Sequence, residues 1–284
     1  AHSPGGYAAN VEAVETPAPE PLPVDDAPAM TVVDTPGAAS IVDVVALLND
    51  ELPGETPWTA SQMLKNLLYV VTEPDGSTHP LAIALPGDRD VDEKRLEAAL
   101  EPATAAPFEA EDFERYPSVP VGYIGPVTAD GESILGAESA TKIRYLADPC
   151  VVTGTHWVTG GGVVDQHLTG VTVGRDFTPD GSIDVADVRD GDPAPDGSGP
   201  LTLARGIEMG HVFKLGRRYA EALGLKVLDQ NGKLVTVTMG SYGVGVSRAV
   251  AAVAEATHDE LGLSWPLELA PYQVQVVATG KDQA

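Results

Sequence analysis

The run Asp190-Gly-Asp-Pro-Ala-Pro-Asp-Gly-Ser-Gly-Pro200 is turn-forming at almost every position, so no helix or strand is expected to cross it. A second interruption covers residues 16–29, where Pro17, Pro19, Pro21, Pro23 and Pro28 stand among acids and alanines, the composition of a stiff extended linker. Whatever folds must fold between and beyond these two stretches, which places boundaries near residues 30 and 185. A chain of 284 residues then has room for one large or two modest domains, each with its own core.

Between the boundaries, helices alternate with short strands. Ile41, Val44, Val45 and Leu48 recur at helical spacing from about Ser40, and a second helix is expected around Ala60–Leu64. Leu67–Val71 reads as a strand joined through the turn residues Pro74–Ser77 to a partner at Leu81–Leu85. A third helix spans Val91 to Leu100, a short one lies near Ala110–Glu114, and strands are expected at Ile143–Leu146 and Pro149–Thr153. A loop rich in glycine and histidine covers Gly154 to His167, and Val171–Val173 closes the region. The pattern predicts a mixed α/β or α+β domain over about 31–185.

Charge bears on partners. The chain carries 42 acidic and 17 basic residues, a formal net charge of −25, which ordinarily disfavours nucleic acid. Residues 201–248 reverse the sign, with seven basic and three acidic side chains. The lone Cys150 rules out an intramolecular disulfide, and it is expected in the core of an apolar strand. His156 and His167 share a loop, but without Cys-x-x-Cys or His-Glu-x-x-His spacing no structural metal is expected. Apolar runs are short and interrupted, so neither a signal peptide nor a membrane span is expected, and the reading is a soluble cytoplasmic protein.

Beyond residue 200, strands are expected across Gly206–Phe213, Lys226–Leu228 and Leu234–Met239, with a helix over Leu215–Leu223 and a tight turn at Asn231-Gly232. Gly240, Gly243 and Gly245 strip side chains from the backbone after the last of these strands, so that a flat ligand can approach the main chain. Ser247 is placed to cap a following helix that ends by Gly262, and Arg248 projects from its first turn as a fork of donors suited to a polyphosphate or carboxylate. A further strand is expected at Pro271–Val277.

The glycine run and the upstream segment Arg205-Gly-Ile-Glu-Met-Gly-His-Val-Phe-Lys-Leu-Gly216 together resemble the third signature motif of a class II aminoacyl-tRNA synthetase, of the bacterial prolyl type. Asp187 to Gly197 and Leu269-Ala-Pro-Tyr-Gln-Val extend the likeness, so that it covers nearly the whole chain. The resemblance implies an α+β protein: a partial class II antiparallel-sheet catalytic domain interrupted by a mixed α/β editing domain. Residues 1–30 would be a catalytic-domain fragment and proline-rich linker, 31–185 the inserted editing domain, 186–267 the catalytic domain with its third motif, and 268–284 the start of an anticodon-binding domain.

The same resemblance implies substrates, partners and site residues. The family charges the proline tRNA through prolyl-adenylate, using L-proline and ATP with Mg2+, as a homodimer without DNA or membrane partners. Arg248 and Gly245 would meet ATP, while His211, Ser241 and Gly243 would lie beside proline. Ser241 stands where bacterial relatives often have cysteine, and Lys214 where glutamine is common. The first two signature motifs are expected before residue 1, so the chain alone is not expected to activate proline. In the editing domain, which hydrolyses mischarged alanyl-tRNA, the matching positions are Thr35, Lys65, Asp148 and His167, with Gly122 and Pro126 in the loop Gly122-Tyr-Ile-Gly-Pro126. The residues alone leave other readings open. Lys65 can be a solvated lysine ending a helix, Asp148-Pro149 a turn, and His211 a satisfied strand histidine. The chain itself can be a self-sufficient aminoacyl-tRNA deacylase or a non-enzymatic acidic interaction module.

Overall fold

Nine residues of one strand face nine of the next in the hairpin at the centre of the chain. Leu64–Thr72 (β2) runs antiparallel to Thr78–Pro86 (β3), with Leu64 opposite Pro86 and Thr72 opposite Thr78. The computed structural model describes residues 1–54, 56–277 and 279, which divide into two compact units, 1–204 and 205–284.

In the first unit the remaining elements are β1 (Thr31–Asp34), α1 (Ile41–Glu51), α2 (Glu93–Leu100), β4 (Thr104–Pro107), α3 (Ala110–Arg115), β5 (Arg144–Ala147), β6 (His156–Gly160), β7 (Gln166–Thr172) and β8 (Gly181–Ser182). A five-stranded sheet has the order β4-β2-β3-β5-β8, antiparallel at β4-β2 and β2-β3 and parallel at β3-β5 and β5-β8. A three-stranded antiparallel sheet has the order β1-β7-β6.

Strand alternation sorts β3 into two faces. Leu81, Ile83 and Leu85 pack with Leu96 of α2 and with Ile183, Val185 and Ala186. Ala82 and Ala84, on the other face, pack with Tyr145, Trp157, Leu168 and Val171, and their small side chains let the three-stranded sheet come close. Helix α1 is capped by Ser40, whose Oγ accepts from Asp43 N at 3.2 Å, and it buries Val44 and Leu48 against Met63 and Val158.

The first residues and the turn-rich stretch near 190–200 pack together. Val14, Val188, Ala194 and Leu201 form a small buried cluster, and His2 bridges to Thr202. Arg95, almost wholly buried on α2, donates to the carbonyls of Val11 and Val14 at 3.0 and 2.6 Å and pairs with Asp184 at 2.5 Å. Asp184 also accepts from the backbone N–H and hydroxyl of Thr16, both at 2.7 Å.

Several expectations change. Ala60–Gln62 is one turn of 3-10 helix instead of a helix to Leu64, because nine-residue pairing with β3 already claims Leu64, and Lys65 therefore lies in a strand. Pro149–Thr153 is a turn: Pro149 has no N–H for a ladder, and the Asp148 carboxylate accepts from Cys150 N at 2.8 Å. Cys150 thus sits in a turn, half-buried, and not in a strand. The Gly154–His167 stretch contains all of β6 and the start of β7, and the proline- and alanine-rich segment after α2 supplies edge strand β4.

The second unit contains β9 (Gly210–Gly216), α4 (Arg218–Ala222), β10 (Lys226–Leu228), β11 (Leu234–Thr236), β12 (Met239–Val244), α5 (Val246–Ala256), β13 (His258–Asp259) and β14 (Gly262–Leu263), with strands paired as β9-β12, β10-β11 and β13-β14. The glycine run is itself strand β12 instead of following a strand, since Gly240 and Gly243 take places in the ladder with β9. Gly245, not Ser247, holds the N-cap of α5, and no side chain caps it. The helix ends at Ala256, and Gly262 belongs to β14. No strand forms over Pro271–Val277 among the described residues.

Candidate functional site

Thr35 and His167 are 132 positions apart in sequence, and the β1-β7 pairing brings them together. Thr35 follows the last residue of β1, His167 is the second residue of β7, and Thr35 Oγ1 lies 2.7 Å from His167 Nδ1. Both side chains are buried. Burial pulls the His167 imidazole down to about 4, against an opposing hydrogen bond with the Gly122 backbone. Near neutral pH the ring is therefore uncharged, able to exchange a hydrogen bond with Thr35 and to present an apolar edge.

Asp165, which sequence reading passed over, organises this corner. Its backbone is left-handed (φ 63°), its carbonyl accepts from Thr35 N at 2.7 Å, and its Oδ1 accepts from Gly37 N at 2.8 Å and from the Tyr123 hydroxyl at 2.9 Å. Those donors hold the Asp165 carboxyl below the usual carboxylate range. Tyr123 in turn covers His167, with ring centroids 5.3 Å apart.

His167 lines a cavity of about 530 Å³, a volume within the range that takes a drug-sized ligand. Ile41 and Val44 of α1, Met63, Val158, Gly122, Phe108 and Phe113 line it as well. The cavity follows the edge of β2. Because β4 pairs only with Tyr69–Thr72, the stretch Leu64–Leu68 has no strand neighbour on that side. Residues from both faces of β2 consequently contribute to the lining.

Lys65 is one of them, but its ammonium donates to Asp90 at 2.8 Å, and this partner lowers the Asp90 carboxyl below its ordinary value. Gly122 lines the cavity too. Pro126 does not: it is buried at the end of the loop, and its carbonyl accepts from Ile134 and Leu135. Asp148 belongs to a second, smaller cavity of about 90 Å³, with Arg89, Cys150 and Val14 in its walls. Its Oδ2 is buried without a partner, and burial raises its carboxyl above the ordinary value. Burial and Asp148 also push the Cys150 thiol up to about 12, so it is unreactive at neutral pH. Of the four polar positions expected together, the structure joins Thr35 to His167, puts Lys65 at the same cavity, and sets Asp148 at another.

Asn66, Ile124 and Thr159 of the cavity wall belong to a polar cluster that sequence reading also missed. Asn66 Oδ1 accepts from the Tyr145 hydroxyl at 2.6 Å, while Asn66 Nδ2 donates to Ile124 O and to Thr159 Oγ1, both at 2.9 Å. Its signal in the sequence is a lone polar residue at an inward position between Leu64 and Leu68.

In the second unit, β9 and β12 set His211 opposite Gly243 and Phe213 opposite Ser241. Glu208 links the other expected residues: its Oε1 is 2.9 Å from His211 Nδ1, and its carbonyl accepts from the Arg248 guanidinium at 3.0 Å. Gly245 N donates to Met209 O at 2.7 Å. His211, Ser241, Gly243, Gly245 and Arg248 thus share one short strand pair and the helix start after it, all exposed. Among the described residues no group of three or more His, Cys, Asp or Glu side chains could hold a metal ion, and no helix is long and apolar enough to cross a membrane.

Two packed sheets with a buried histidine in the wall of a ligand-sized cavity are consistent with the class that a family match over residues 35–177 shows: the chain belongs to the aminoacyl-tRNA editing domain family. The likeness to particular proteins runs further along the chain. It is 62% identical over 280 residues to the proline--tRNA ligase of Cutibacterium acnes (strain DSM 16379 / KPA171202), covering 98% of this chain and 47% of that protein. It is 58% identical over 281 residues to the proline--tRNA ligase of Kineococcus radiotolerans (strain ATCC BAA-149 / DSM 14245 / SRS30216), covering 99% and 47%, and 52% identical over 280 residues to that of Mycobacterium sp. (strain KMS), covering 98% and 46%. The chain spans about half the length of these relatives.

Proposed function

We propose that this chain is part of a cytoplasmic proline--tRNA ligase and that its first unit removes alanine mischarged onto the proline tRNA by hydrolysing the aminoacyl ester. The observation that carries the reading is His167, hydrogen-bonded to Thr35, in the wall of a cavity of about 530 Å³ inside an aminoacyl-tRNA editing domain. Selectivity supplies the need: a pocket shaped for proline rejects the smaller alanine by only about 1–3 kcal/mol per missing methylene, so a second site must clear the error. In this reading neutral His167 bounds the acyl pocket by shape, admitting a methyl group and refusing larger side chains. Lys65 leaves Asp90 for a phosphate of the terminal nucleotides or a developing oxyanion, and the Gly122–Pro126 loop orients the ester carbonyl through its backbone. Asp148 acts from the smaller cavity.

The second unit would form one wall of the synthetic site, where L-proline and ATP give prolyl-adenylate. The bare backbone at Gly243, where a Cβ would meet nothing within 4 Å, admits a flat ligand, and Gly245 packs against Arg248, which supports an ATP role for Arg248 and Gly245 and a proline role for His211, Ser241 and Gly243. Mg2+ would arrive on the ATP phosphates, its usual mode of binding, and supply charge neutralisation there. The full-length ligase would act as a homodimer.

The test is release of alanine from alanyl-tRNA by the 284-residue chain. Hydrolysis is expected, falling about 100-fold or more in Lys65→Ala and in His167→Ala. Equal release of proline from prolyl-tRNA would overturn the editing assignment. Proline-dependent exchange of pyrophosphate into ATP is expected to be absent, and its appearance would show that the second unit is already a complete synthetic site.

A further inference from the structure

We propose that Asn66 is a positioning residue for the hydrolytic cavity, pinning the Gly122–Pro126 loop through Ile124 so that Gly122 meets His167 at one fixed distance. The role rests on the deacylase reading above, while the pin itself is a matter of geometry. Asn66 is 7% exposed and sits at the uncovered edge of β2, where its amide joins separate parts of the fold. Tyr145 on β5 donates to its oxygen, and its nitrogen donates to Thr159 on β6 and to the carbonyl of Ile124 in the loop. Thr159 passes the chain on, its hydroxyl donating to Leu64 O at 3.1 Å.

This pattern admits one orientation of the amide. If the group were flipped, its oxygen would face the Ile124 carbonyl and two acceptors would repel each other. An aspartate would do the same and bury a charge besides. With both of its N–H groups and its oxygen engaged, Asn66 has little left to offer a substrate, so it acts through the loop.

The loop has no slack to absorb a loss of the pin. A Cβ on Gly125 would stand 1.6 Å from the Gly160 carbonyl oxygen, and one on Gly160 would stand 2.1 Å from the Tyr123 carbonyl carbon. Loop and β6 are therefore in backbone contact without side chains between them, and two bonds hold the loop laterally: Gly162 N on Tyr123 O at 3.0 Å and Asn66 Nδ2 on Ile124 O at 2.9 Å, the latter the one made by a side chain of the cavity wall. A shift of the loop would move Gly122 away from the imidazole and Tyr123 off its face, opening the buried end of the cavity to water.

The experiment compares Asn66→Ala, Thr159→Val and Thr159→Ser in the 284-residue chain. Thr159→Val keeps the volume and removes the hydroxyl, whereas Thr159→Ser keeps the hydroxyl. Backbone amide resonances of Gly122 and Gly125 and the titration midpoint of His167 are read by NMR, alongside kcat and KM for alanyl-tRNA. The pin predicts that Asn66→Ala and Thr159→Val move the loop resonances, raise the His167 midpoint toward its ordinary value, and lower kcat about 10-fold or more with KM within about twofold. Thr159→Ser is expected to restore all of these toward the unsubstituted chain. A lower melting temperature with unmoved loop resonances and an unmoved His167 midpoint would make Asn66 a purely structural residue and overturn the proposal. If the unsubstituted chain releases no alanine, the deacylase reading falls, and the resonances and the His167 midpoint alone decide the pin.

Discussion

Among the described residues every buried apolar side chain except Ala220 lies in 1–204, while in 205–284 Met209, Val212, Phe213, Tyr219 and Val250 are all exposed. The two units differ in how their strands are covered. In the first, a five-stranded sheet carries α2 on one face and a three-stranded sheet on the other. In the second, every sheet among the described residues has two strands, and a two-stranded ribbon by itself is marginal in water. Residues that mark a family need not be residues that hold a fold together. His211, Gly243 and Arg248 sit on an exposed ribbon and the helix start after it, whereas Thr35 and His167 are buried where β1 ends beside β7.

The largest difference should appear in amide hydrogen exchange. Protection in β2 and β3 is expected to exceed that in β9 and β12 by on the order of 10³-fold, since only the former lie in a cooperative core. Equal protection in the two units would break the contrast. Core truncation sharpens it. Leu85→Ala, at a side chain with 0% exposure, is expected to cost about 2–5 kcal/mol in denaturant unfolding, and Val212→Ala, at 62% exposure, to stay within about 0.5 kcal/mol.

Acid acts on the first unit through His167. Its midpoint in the folded chain, about 4, is below the ordinary histidine value, so the unfolded chain takes up this proton first as pH falls. The stability linked to a neutral His167 is therefore complete above about pH 6.5, and acidification removes up to ~3 kcal/mol between there and about pH 4. His167→Gln should flatten that slope in urea titrations run at successive pH values.

Glycine substitutions probe the same contrast on a smaller scale. Gly125→Ala drives a Cβ into Gly160 and is expected to cost about 2 kcal/mol or more, whereas Gly243→Ala meets nothing within 4 Å and should leave the melting temperature of the chain unchanged. The smallest effect is reserved for Asp90→Asn. With Asp90 81% exposed, the loss of its bond to Lys65 should alter stability by less than about 1 kcal/mol, whatever it does to hydrolysis.

The strongest local patterns were legible. The short apolar runs Leu67–Val71 and Leu81–Leu85, with turn residues between them, announced the central hairpin, and the spacing of Val44 and Leu48 announced α1. The misses have physical causes. Lys65 follows a 3-10 turn whose residues favour helix, and only its pairing opposite Leu85 extends the strand back to Leu64. Glycine and histidine conceal β6 and β7 because Gly160 is needed where the loop backbone touches the sheet, a contact no local pattern encodes. Thr35 and His167 could be paired by resemblance but not by spacing, since their bond depends on β1-β7 register. Asn66, Thr159 and Asp165 carried no motif at all. Their importance comes from burial and from partners distant in sequence.

Thr16 and Asp184 are 168 positions apart and joined by hydrogen bonds, with Arg95 fastening the same aspartate to Val11 and Val14. The polypeptide therefore enters and leaves the two-sheet region side by side. A module whose ends meet places almost no geometric demand on its host: it can be spliced into a surface turn or replaced by a few residues with little change to the host backbone. In Arg95 and Asp184 the chain carries the fastening for such an exchange, so a short loop joining residues near 16 and 184 is the natural seam for excising or transplanting the region.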